Sequence, residues 1–347
     1  MEKPKISRSV LMFFITLTSV FLVYGFQWTN GSPLEDSEIA WESAQFAMGL
    51  MGILLCHEMG HYIVAKRHGF SLSVPYFLPF PFAFGTLGAV IHLKSLPKTR
   101  TALLEMGAAG PIAGFIATLF CFVIDAKNTV NHPKAHLIGS KEEMEQGLIE
   151  ASRIELEWWE AGLQQIGILP DIQIDSLPLM ILSDPLALKG VLSLFLDAPL
   201  SPFAELGPLA FAGWVGCMIT SINLFPIGQL DGGHIVNALF PKKAERISKI
   251  VLFIAIGLSF LWTGWLIWSC LLYFMGATKS ISVPEASELR LRSKIIALLT
   301  GIIFVLCVML EPIYFKNVAL VDIQWENDID SDQIEMSPKI LPDEVEK

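Results

Sequence analysis

The chain has 347 residues, of which 53% are hydrophobic and only 17% are charged, with a mean hydropathy of +0.54. A soluble domain with a similar apolar share carries about 25% charged residues, so the composition excludes an ordinary soluble domain and indicates an integral membrane protein. The net charge is −10, and no basic patch points to a nucleic-acid partner. The five cysteines lie in apolar segments without paired spacing, which argues against a disulfide framework or a thiolate zinc site.

Apolar stretches that are long enough to cross a membrane predict the main elements. They cover residues 9–27, 42–65, 102–124, 206–225, 247–276 and 294–315. The first stretch follows three basic residues, as a signal peptide would, but no small-residue cleavage site follows it, so we expect an uncleaved anchor helix. We predict an all-α polytopic membrane protein with about six transmembrane helices, or seven, and a short re-entrant β segment.

The second stretch contains the sequence His57-Glu58-Met59-Gly60-His61. Two histidines four residues apart lie on one face of a helix, so both imidazoles can reach a single zinc ion. Glu58 falls beside the metal, where it can take a proton from water. Because the flanking residues are almost all apolar, the pattern predicts a zinc site on a transmembrane helix.

A β-prone segment, residues 85–93, follows a rigid stretch rich in proline and phenylalanine, residues 75–81. We predict a short strand for residues 85–93. Residues 75–81 have two equal interpretations: a rigid stretch that leads into this strand, or an ordinary interfacial loop with aromatic anchors. In the third stretch, Gly107, Gly110 and Gly114 suit close helix packing.

Residues 126–205 form a sizeable polar insertion with 12 acidic and 5 basic side chains. Its length of about 80 residues is enough for a small extracytoplasmic cap. A solvated loop lying on the membrane is an equally good interpretation.

The fourth stretch ends in the sequence Asn223-Leu-Phe-Pro226-Ile-Gly-Gln-Leu-Asp231-Gly232-Gly233. A catalytic zinc ion has three protein ligands, so His57 and His61 leave one to be found. Asp231 is the candidate, because acids inside apolar segments are rare and usually functional. The proline and glycines around it predict an unwound helix, which is tolerated in a membrane where the backbone lines a cavity.

Basic residues cluster at the N-terminus, after His61 and after residue 240, whereas the intervening loops are acidic. By the positive-inside rule, the basic loops are cytoplasmic, and His57, His61 and Asp231 lie near the cytoplasmic ends of their spans. The side of the acidic C-terminal tail stays open. If Gly257 and Gly264 break the stretch 247–276 into a hairpin, the tail lies outside; a single span would reverse this.

The two motifs resemble the site-2 protease family of intramembrane zinc metalloproteases. The resemblance depends on the histidine–glutamate motif of residues 57–61 and on Asn223, Pro226, Asp231 and Gly232. It covers roughly residues 42–240 and extends to the Gly-Pro segment of residues 107–114. No PDZ domain is recognisable between the two halves, which favours the PDZ-less branch that includes plastid EGY-type and archaeal members.

This resemblance implies a Zn²⁺ cofactor held by His57, His61 and Asp231, with Glu58 as general base. Asn223 is our candidate donor to the tetrahedral oxyanion, and a helix–helix hydrogen bond is the alternative role for its amide. We divide the chain into an anchor, a first catalytic half, the acidic insertion, a second catalytic half, C-terminal transmembrane helices and an acidic tail. The boundaries are 1–41, 42–125, 126–205, 206–240, 241–316 and 317–347.

A transmembrane substrate must unwind before cleavage, and its freed backbone needs hydrogen-bond partners. The strand at residues 85–93 fits that need by strand addition, as the resemblance implies. Two further histidines, His92 and His234, compete as metal ligands, although hydrogen bonding to a ligand is the commoner role for such residues. His68, His132 and His136 are interpreted as loop residues.

We therefore expect an enzyme that cleaves transmembrane protein substrates within or near their membrane segments, with lipid as its surroundings and no nucleic-acid partner. The expected location is a bacterial plasma membrane, with the active site toward the cytoplasm. A metal transporter would place ionisable residues along a path, whereas here they converge on one site. An inactive relative is disfavoured by the intact His57, Glu58, His61 and Asp231.

Overall fold

A computed structural model describes residues 6–29, 31–70, 72–91, 97–132, 134–137, 176–274, 288–319 and 323–325. The chain divides into two compact units. The first unit comprises Met1–Val130, Ser183–Leu200 and Glu205–Pro312, and the second comprises Asn131–Leu182, Ser201–Ala204 and Ile313–Lys347.

The first unit is built mainly from helices. They are α1 (Ile6–Gln27), α2 (Ser37–Arg67), α3 (Arg100–Asp125), α4 (Leu186–Leu192), α5 (Pro208–Leu224), α6 (Asp231–Leu239), α7 (Ala244–Leu258), α8 (Gly264–Phe274) and α9 (Leu291–Cys307), with a 3₁₀ turn at Ala126–Asn128. This largely helical fold agrees with the predicted class.

Three helices in the described ranges are long and apolar enough to cross a membrane, namely Arg8–Gln27, Ser37–Arg67 and Arg100–Asn128. They correspond to the first three predicted spans. At the place of the fourth predicted span, the structure has a shorter apolar helix, Pro208–Leu224. The predicted total of about six spans is therefore not confirmed. The 31-residue α2 is about 46 Å long at 1.5 Å per residue, so it exceeds the ~30 Å hydrocarbon core of a bilayer.

Asp125, at the end of α3, holds the start of α5. Its side chain is buried, with 1% of its surface exposed. One carboxylate oxygen accepts from the backbone N–H of Ala210 at 2.8 Å, and the other accepts from the Asn128 amide at 2.6 Å. A carboxylate at a helix N-terminus satisfies a free backbone donor and interacts favourably with the helix dipole. The end of α3 thus fixes where α5 begins.

The predicted break before Asp231 is present. α5 ends at Leu224, and α6 begins at Asp231 after a six-residue irregular segment. A Cβ on Gly232 would overlap the backbone oxygen of Leu224, so glycine allows α6 to fold back against the end of α5. Ser248 of α7 holds the segment in place, because its hydroxyl oxygen accepts from the Gly228 N–H at 3.0 Å.

The two C-terminal apolar stretches match their predictions to different degrees. The stretch 247–276 is split into α7 and α8 by a turn at residues 259–263, which is the hairpin alternative. The predicted span 294–315 is wrong at its end, because α9 stops at Cys307 and Ile313–Ala319 is a strand. Pro312 cannot continue a helix, and the aromatic and β-branched residues that follow it favour an extended backbone.

A β-hairpin lies beside α1. It pairs β1 (Tyr76–Pro79) with β2 (Thr86–Val90) in antiparallel register, so residues 85–93 do contain the predicted strand, and residues 76–79 are a strand rather than a loop. The Ser9 hydroxyl of α1 donates to the Pro75 carbonyl. At the other end of the hairpin, the indole N–H of Trp28 donates to the Ala83 carbonyl at 2.8 Å. α1 and the residue that follows it therefore contact the hairpin at both its base and its tip.

The second unit contains two strand pairs that the sequence did not predict. β3 (Ala135–Leu137) runs parallel to β6 (Ile323–Trp325), and β4 (Ser176–Leu182) pairs over its whole length with the antiparallel β5 (Ile313–Ala319). The second of these pairs joins a segment of the predicted acidic insertion to the residues around the predicted start of the C-terminal tail.

Candidate metal centre and its cavity

Two helices bring three potential metal ligands together. Nε2 of His57 lies 3.1 Å from Nε2 of His61, and these two atoms lie 3.2 and 3.3 Å from Oδ2 of Asp231. A tetrahedral zinc ion with bonds of about 2.0–2.1 Å separates its ligand atoms by about 3.3–3.4 Å. The spacing of the three atoms is therefore close to that of one triangular face of such a tetrahedron. Among the clusters of histidine, cysteine and acidic side chains in the described residues, this group of two histidines and one aspartate could hold a metal ion.

The geometry of α2 explains the first two positions. Residues four apart on an α-helix are neighbours on one face, so both imidazoles point the same way. The His61 ring is fixed from behind, because its Nδ1 lies 2.8 Å from the carbonyl oxygen of Met106 on α3. A ring whose Nδ1–H is bound to a carbonyl presents Nε2 as the free ligand atom, which is the usual arrangement at metal-binding histidines.

Asp231 reaches the same point from α6, whose first residue it is. The far end of that helix is anchored by Arg100, which donates from Nε to the Ala238 carbonyl at 2.7 Å and from Nη2 to the Leu239 carbonyl at 3.1 Å. These carbonyls belong to the last turn of α6, where a helix lacks internal donors and a cation is favourable. Arg100 therefore ties α6 to the start of α3.

The glycines of α3 make room for the centre. A Cβ on Gly110 would overlap the ring of His61, and one on Gly114 would lie 3.2 Å from Cβ of His57. A Cβ on Gly107 would lie 3.0 Å from Cβ of His234 and 3.1 Å from the Asp231 carbonyl oxygen. The predicted packing role of these glycines is thus also a role at the site. Sequence reasoning missed this, because the partners lie on other helices.

A cavity of about 580 Å³ opens beside the three ligands, a volume within the usual range for ligand pockets. It is lined by His57, Glu58, His61, Leu72, Ala89, Val90, Ile91, Met106, Asn223, Gln229, Leu230, Asp231 and His234. Glu58 is buried, with 8% of its surface exposed. The five site residues predicted from the sequence therefore border one space, together with the end of β2.

The other histidines considered in the sequence analysis lie in different places. His234 borders the cavity but is not part of the three-ligand group, and His92 lies outside the described residues. His68 is away from the cavity, with Nε2 at 3.0 Å from a carboxylate oxygen of Glu105. His136 lies in strand β3 and not in a loop as predicted.

The sequence model of peptidase family M50 matches residues 45–263, a range that includes all three candidate ligands, most of α2 and all of α6. The chain belongs to peptidase family M50. This confirms the membership of the site-2 protease family that the two motifs predicted.

Several curated plant proteins that are named as probable zinc metalloproteases are similar to this chain. The chain is 28% identical over 262 residues to "Probable zinc metalloprotease EGY2, chloroplastic" of Arabidopsis thaliana, covering 73% of this chain and 40% of that protein. It is 26% identical over 212 residues to "Probable zinc metalloprotease EGY1, chloroplastic" of the same plant, covering 61% of this chain and 32% of that protein. To the EGY2 protein of Oryza sativa subsp. indica it is 28% identical over 222 residues, or 64% and 34% of the two chains.

The M50 chain thus spans about a third to two fifths of the length of these relatives. No solved structure matches it. Relatives named as chloroplastic give no support to the predicted bacterial plasma membrane, although the apolar helices support a membrane protein.

Proposed function

We propose that this M50 chain is an intramembrane zinc metalloprotease that hydrolyses peptide bonds within or near transmembrane segments of membrane-anchored substrates. The observation that carries the proposal is the triangle of His57 Nε2, His61 Nε2 and Asp231 Oδ2, with sides of 3.1 to 3.3 Å. Its two imidazole nitrogens and one carboxylate oxygen are a usual donor set for catalytic zinc. The names of the relatives, which specify zinc metalloproteases, agree with this assignment.

The roles of the chain's own residues follow from their positions. A bound zinc ion supplies Lewis acidity, which makes water more acidic and a carbonyl more electrophilic. Glu58 lies next to His57 on α2 and borders the cavity, so its carboxylate takes the proton from the attacking water and passes it to the leaving amine. The water oxygen forms the new bond to the carbonyl carbon, and the C–N bond then breaks.

Asn223 is the proposed donor to the oxyanion that forms on the carbonyl oxygen. It borders the cavity at the end of α5. Its amide makes no helix–helix hydrogen bond among the described residues, so the alternative structural role has no support there. A preorganised donor at this point stabilises charge that develops only in the transition state.

The hairpin is the proposed support for an unwound substrate. Ala89 and Val90 of β2 line the cavity, and Val90 and Leu87 expose 53% and 63% of their surface. β2 pairs with β1 along one edge. An extended substrate segment that adds to the other edge satisfies its backbone donors and acceptors while its scissile bond reaches the centre.

For orientation, we propose that the site lies toward the side of the membrane that carries the basic loops. Lys66 and Arg67 end α2, less than two turns after His61. Water therefore has a short path to the centre from that side. The proposed activity is regulated intramembrane proteolysis, with transmembrane proteins as substrates.

The test uses purified full-length protein in detergent or nanodiscs, with zinc content and cleavage of a model transmembrane substrate as readouts. We expect the wild type to hold about one zinc ion per chain and to cleave. Glu58→Gln should keep its zinc and lose cleavage by about 10²–10⁴-fold, since general-base catalysis contributes that much. Glu42→Gln, on the same helix but outside the cavity, is the matched control and should cleave normally. A wild type without zinc, or a Glu58→Gln variant with normal cleavage, refutes the proposal.

A further inference from the structure

His234 occupies an unexplained position at the centre. It lies three residues after Asp231, one turn further along α6, so both side chains lie on the same face of that helix. His234 is one of the residues that line the cavity. Nδ1 is buried and has no hydrogen-bond partner among the described residues. Buried polar atoms without partners are uncommon, and each one calls for an explanation.

Metal binding does not explain this histidine. The group whose ligand atoms lie within 4.8 Å of one another contains His57, His61 and Asp231 but not His234. The base of its side chain is also held in place. The backbone N–H donates to the Leu230 carbonyl at 3.0 Å, and Gly107 of α3 approaches so closely that an added Cβ would lie 3.0 Å from Cβ of His234. The backbone and Cβ of His234 are therefore held in place beside the ligands.

The burial of Nδ1 decides which ring nitrogen can meet a ligand. A neutral imidazole carries one N–H and one bare nitrogen. A proton on Nδ1 would be a buried N–H without an acceptor, which costs the desolvation of that group, so the tautomer with the proton on Nε2 is favoured. Since Nδ1 is shut away from solvent, Nε2–H is the donor that His234 offers to the cavity.

We propose that His234 is a second oxyanion donor, whose Nε2–H binds the carbonyl oxygen of the scissile peptide bond. This inference rests on the proposed protease function. When the water oxygen bonds to the carbonyl carbon and Glu58 takes the proton, the π electrons of the carbonyl move onto its oxygen, and the hydrogen bond from His234 strengthens. Asn223 precedes the irregular segment that joins α5 to α6, His234 follows it in the first turn of α6, and both residues line the cavity.

The expected loss of activity on removal of His234 follows from measurements on other oxyanion sites. Loss of one preorganised oxyanion donor costs about 10²–10³-fold in kcat. Because the interaction is strongest in the transition state, KM should change little. Zinc content should not change, since His234 is outside the ligand group.

The experiment compares His234→Leu, which removes the donor, with His234→Gln, which keeps an N–H donor on a side chain of similar reach. Each full-length variant is assayed for zinc content and for kcat and KM on the model transmembrane substrate. We expect His234→Leu to lose about 10²–10³-fold in kcat with normal zinc content, and His234→Gln to recover part of the loss. His68→Leu is the control for a histidine outside the cavity and should cleave normally.

Inhibitor affinity supplies a readout that a structural role would not move. A phosphinic peptide carries a tetrahedral centre with an oxygen at the oxyanion position, whereas a reduced-amide peptide of the same sequence has no oxygen there. His234→Leu should weaken the phosphinic peptide by the same factor as kcat/KM and leave the reduced-amide peptide unchanged. If the His234→Leu variant does not fold, the affinities of the two peptides are compared for His234→Gln instead. We then expect a smaller loss of affinity, for the phosphinic peptide only.

Three outcomes overturn the inference: normal kcat in His234→Leu, equal losses for both peptides, or loss of zinc from the variant, which would make His234 a residue that positions Asp231. Failure of the proposed function is distinguishable, because it shows in the wild type and in Glu58→Gln. If those two behave as a zinc protease and its inactive variant, a negative result with His234 bears on His234 alone.

Discussion

Gly110→Ala should damage the metal centre without touching any ligand. The added methyl group would lie on the imidazole of His61, close to its Nε2, Cδ2 and Cε1 atoms, well inside the ~3.5–4.0 Å at which carbon atoms ordinarily meet. The ring cannot simply retreat, because its Nδ1 is bound to the Met106 carbonyl at 2.8 Å. Either that hydrogen bond breaks, or α2 and α3 separate.

The size of the effect follows from these two routes. Overpacking by one methyl group costs about 1–3 kcal/mol, and the strain is relieved when His61 leaves its ligand position. If all of the strain appears in metal binding, zinc affinity falls by about 5–150-fold. Loss of the Met106 hydrogen bond alone predicts a similar range, since outer-shell partners of metal-binding histidines contribute about 10–100-fold.

The assay is zinc affinity by competition with a chromophoric chelator, together with cleavage of the model substrate. Gly52→Ala is the matched control, because Gly52 lies on α2 and a Cβ there meets nothing within 4 Å. Both variants gain the higher helix propensity of alanine, so only the steric term differs. If Gly110→Ala binds zinc as tightly as Gly52→Ala, the packing argument for the centre is wrong.

Two further substitutions test other parts of the site. Asp231→Asn keeps the shape of the side chain but removes its charge, and we expect zinc affinity to fall by more than about 100-fold, measured by the same competition; unchanged affinity would remove Asp231 from the ligand set. Trp28→Ala removes the hydrogen bond to Ala83 and the stacking on Phe84, whose ring centroid lies 5.3 Å away, so the hairpin should loosen and KM should rise several-fold with normal zinc content. Trp41→Ala, at a position with 61% exposure, is its control, and an equal KM for the two variants would separate the hairpin from substrate binding.

The candidate ligands could be found from the sequence because each depends on local rules. The spacing of His57 and His61 requires only helix geometry. Asp231 is visible because a carboxylate in an apolar setting is costly, and Gly232 and Pro226 mark the break in the helix before it. The convergence of α2 and α6 could be expected only after these local features had been placed at a similar depth.

The rest depends on contacts between residues far apart in the chain. Strand β4 pairs with β5 through residues such as Met180 and Phe315, and nothing in either segment specifies the other. The apolar stretch that begins at residue 294 resembles a complete span by hydropathy alone, although its last part forms β5. The contact between Gly110 and His61 could not be predicted for the same reason. A glycine indicates that a helix face lacks a side chain, but it does not indicate which residue of another helix packs there.

The two sides of the centre are held by different means, and this bears on how the site works. His57 and His61 are fixed relative to each other by one continuous helix, so their spacing survives most changes elsewhere. Asp231 begins a short helix after an irregular segment, and its position depends on tertiary contacts, above all the two hydrogen bonds from Arg100 to the last turn of α6. Because the third ligand and both proposed oxyanion donors flank this same segment, a movement of α6 would change ligand geometry and transition-state stabilisation together, whereas the histidine pair would keep its metal-facing atoms in place.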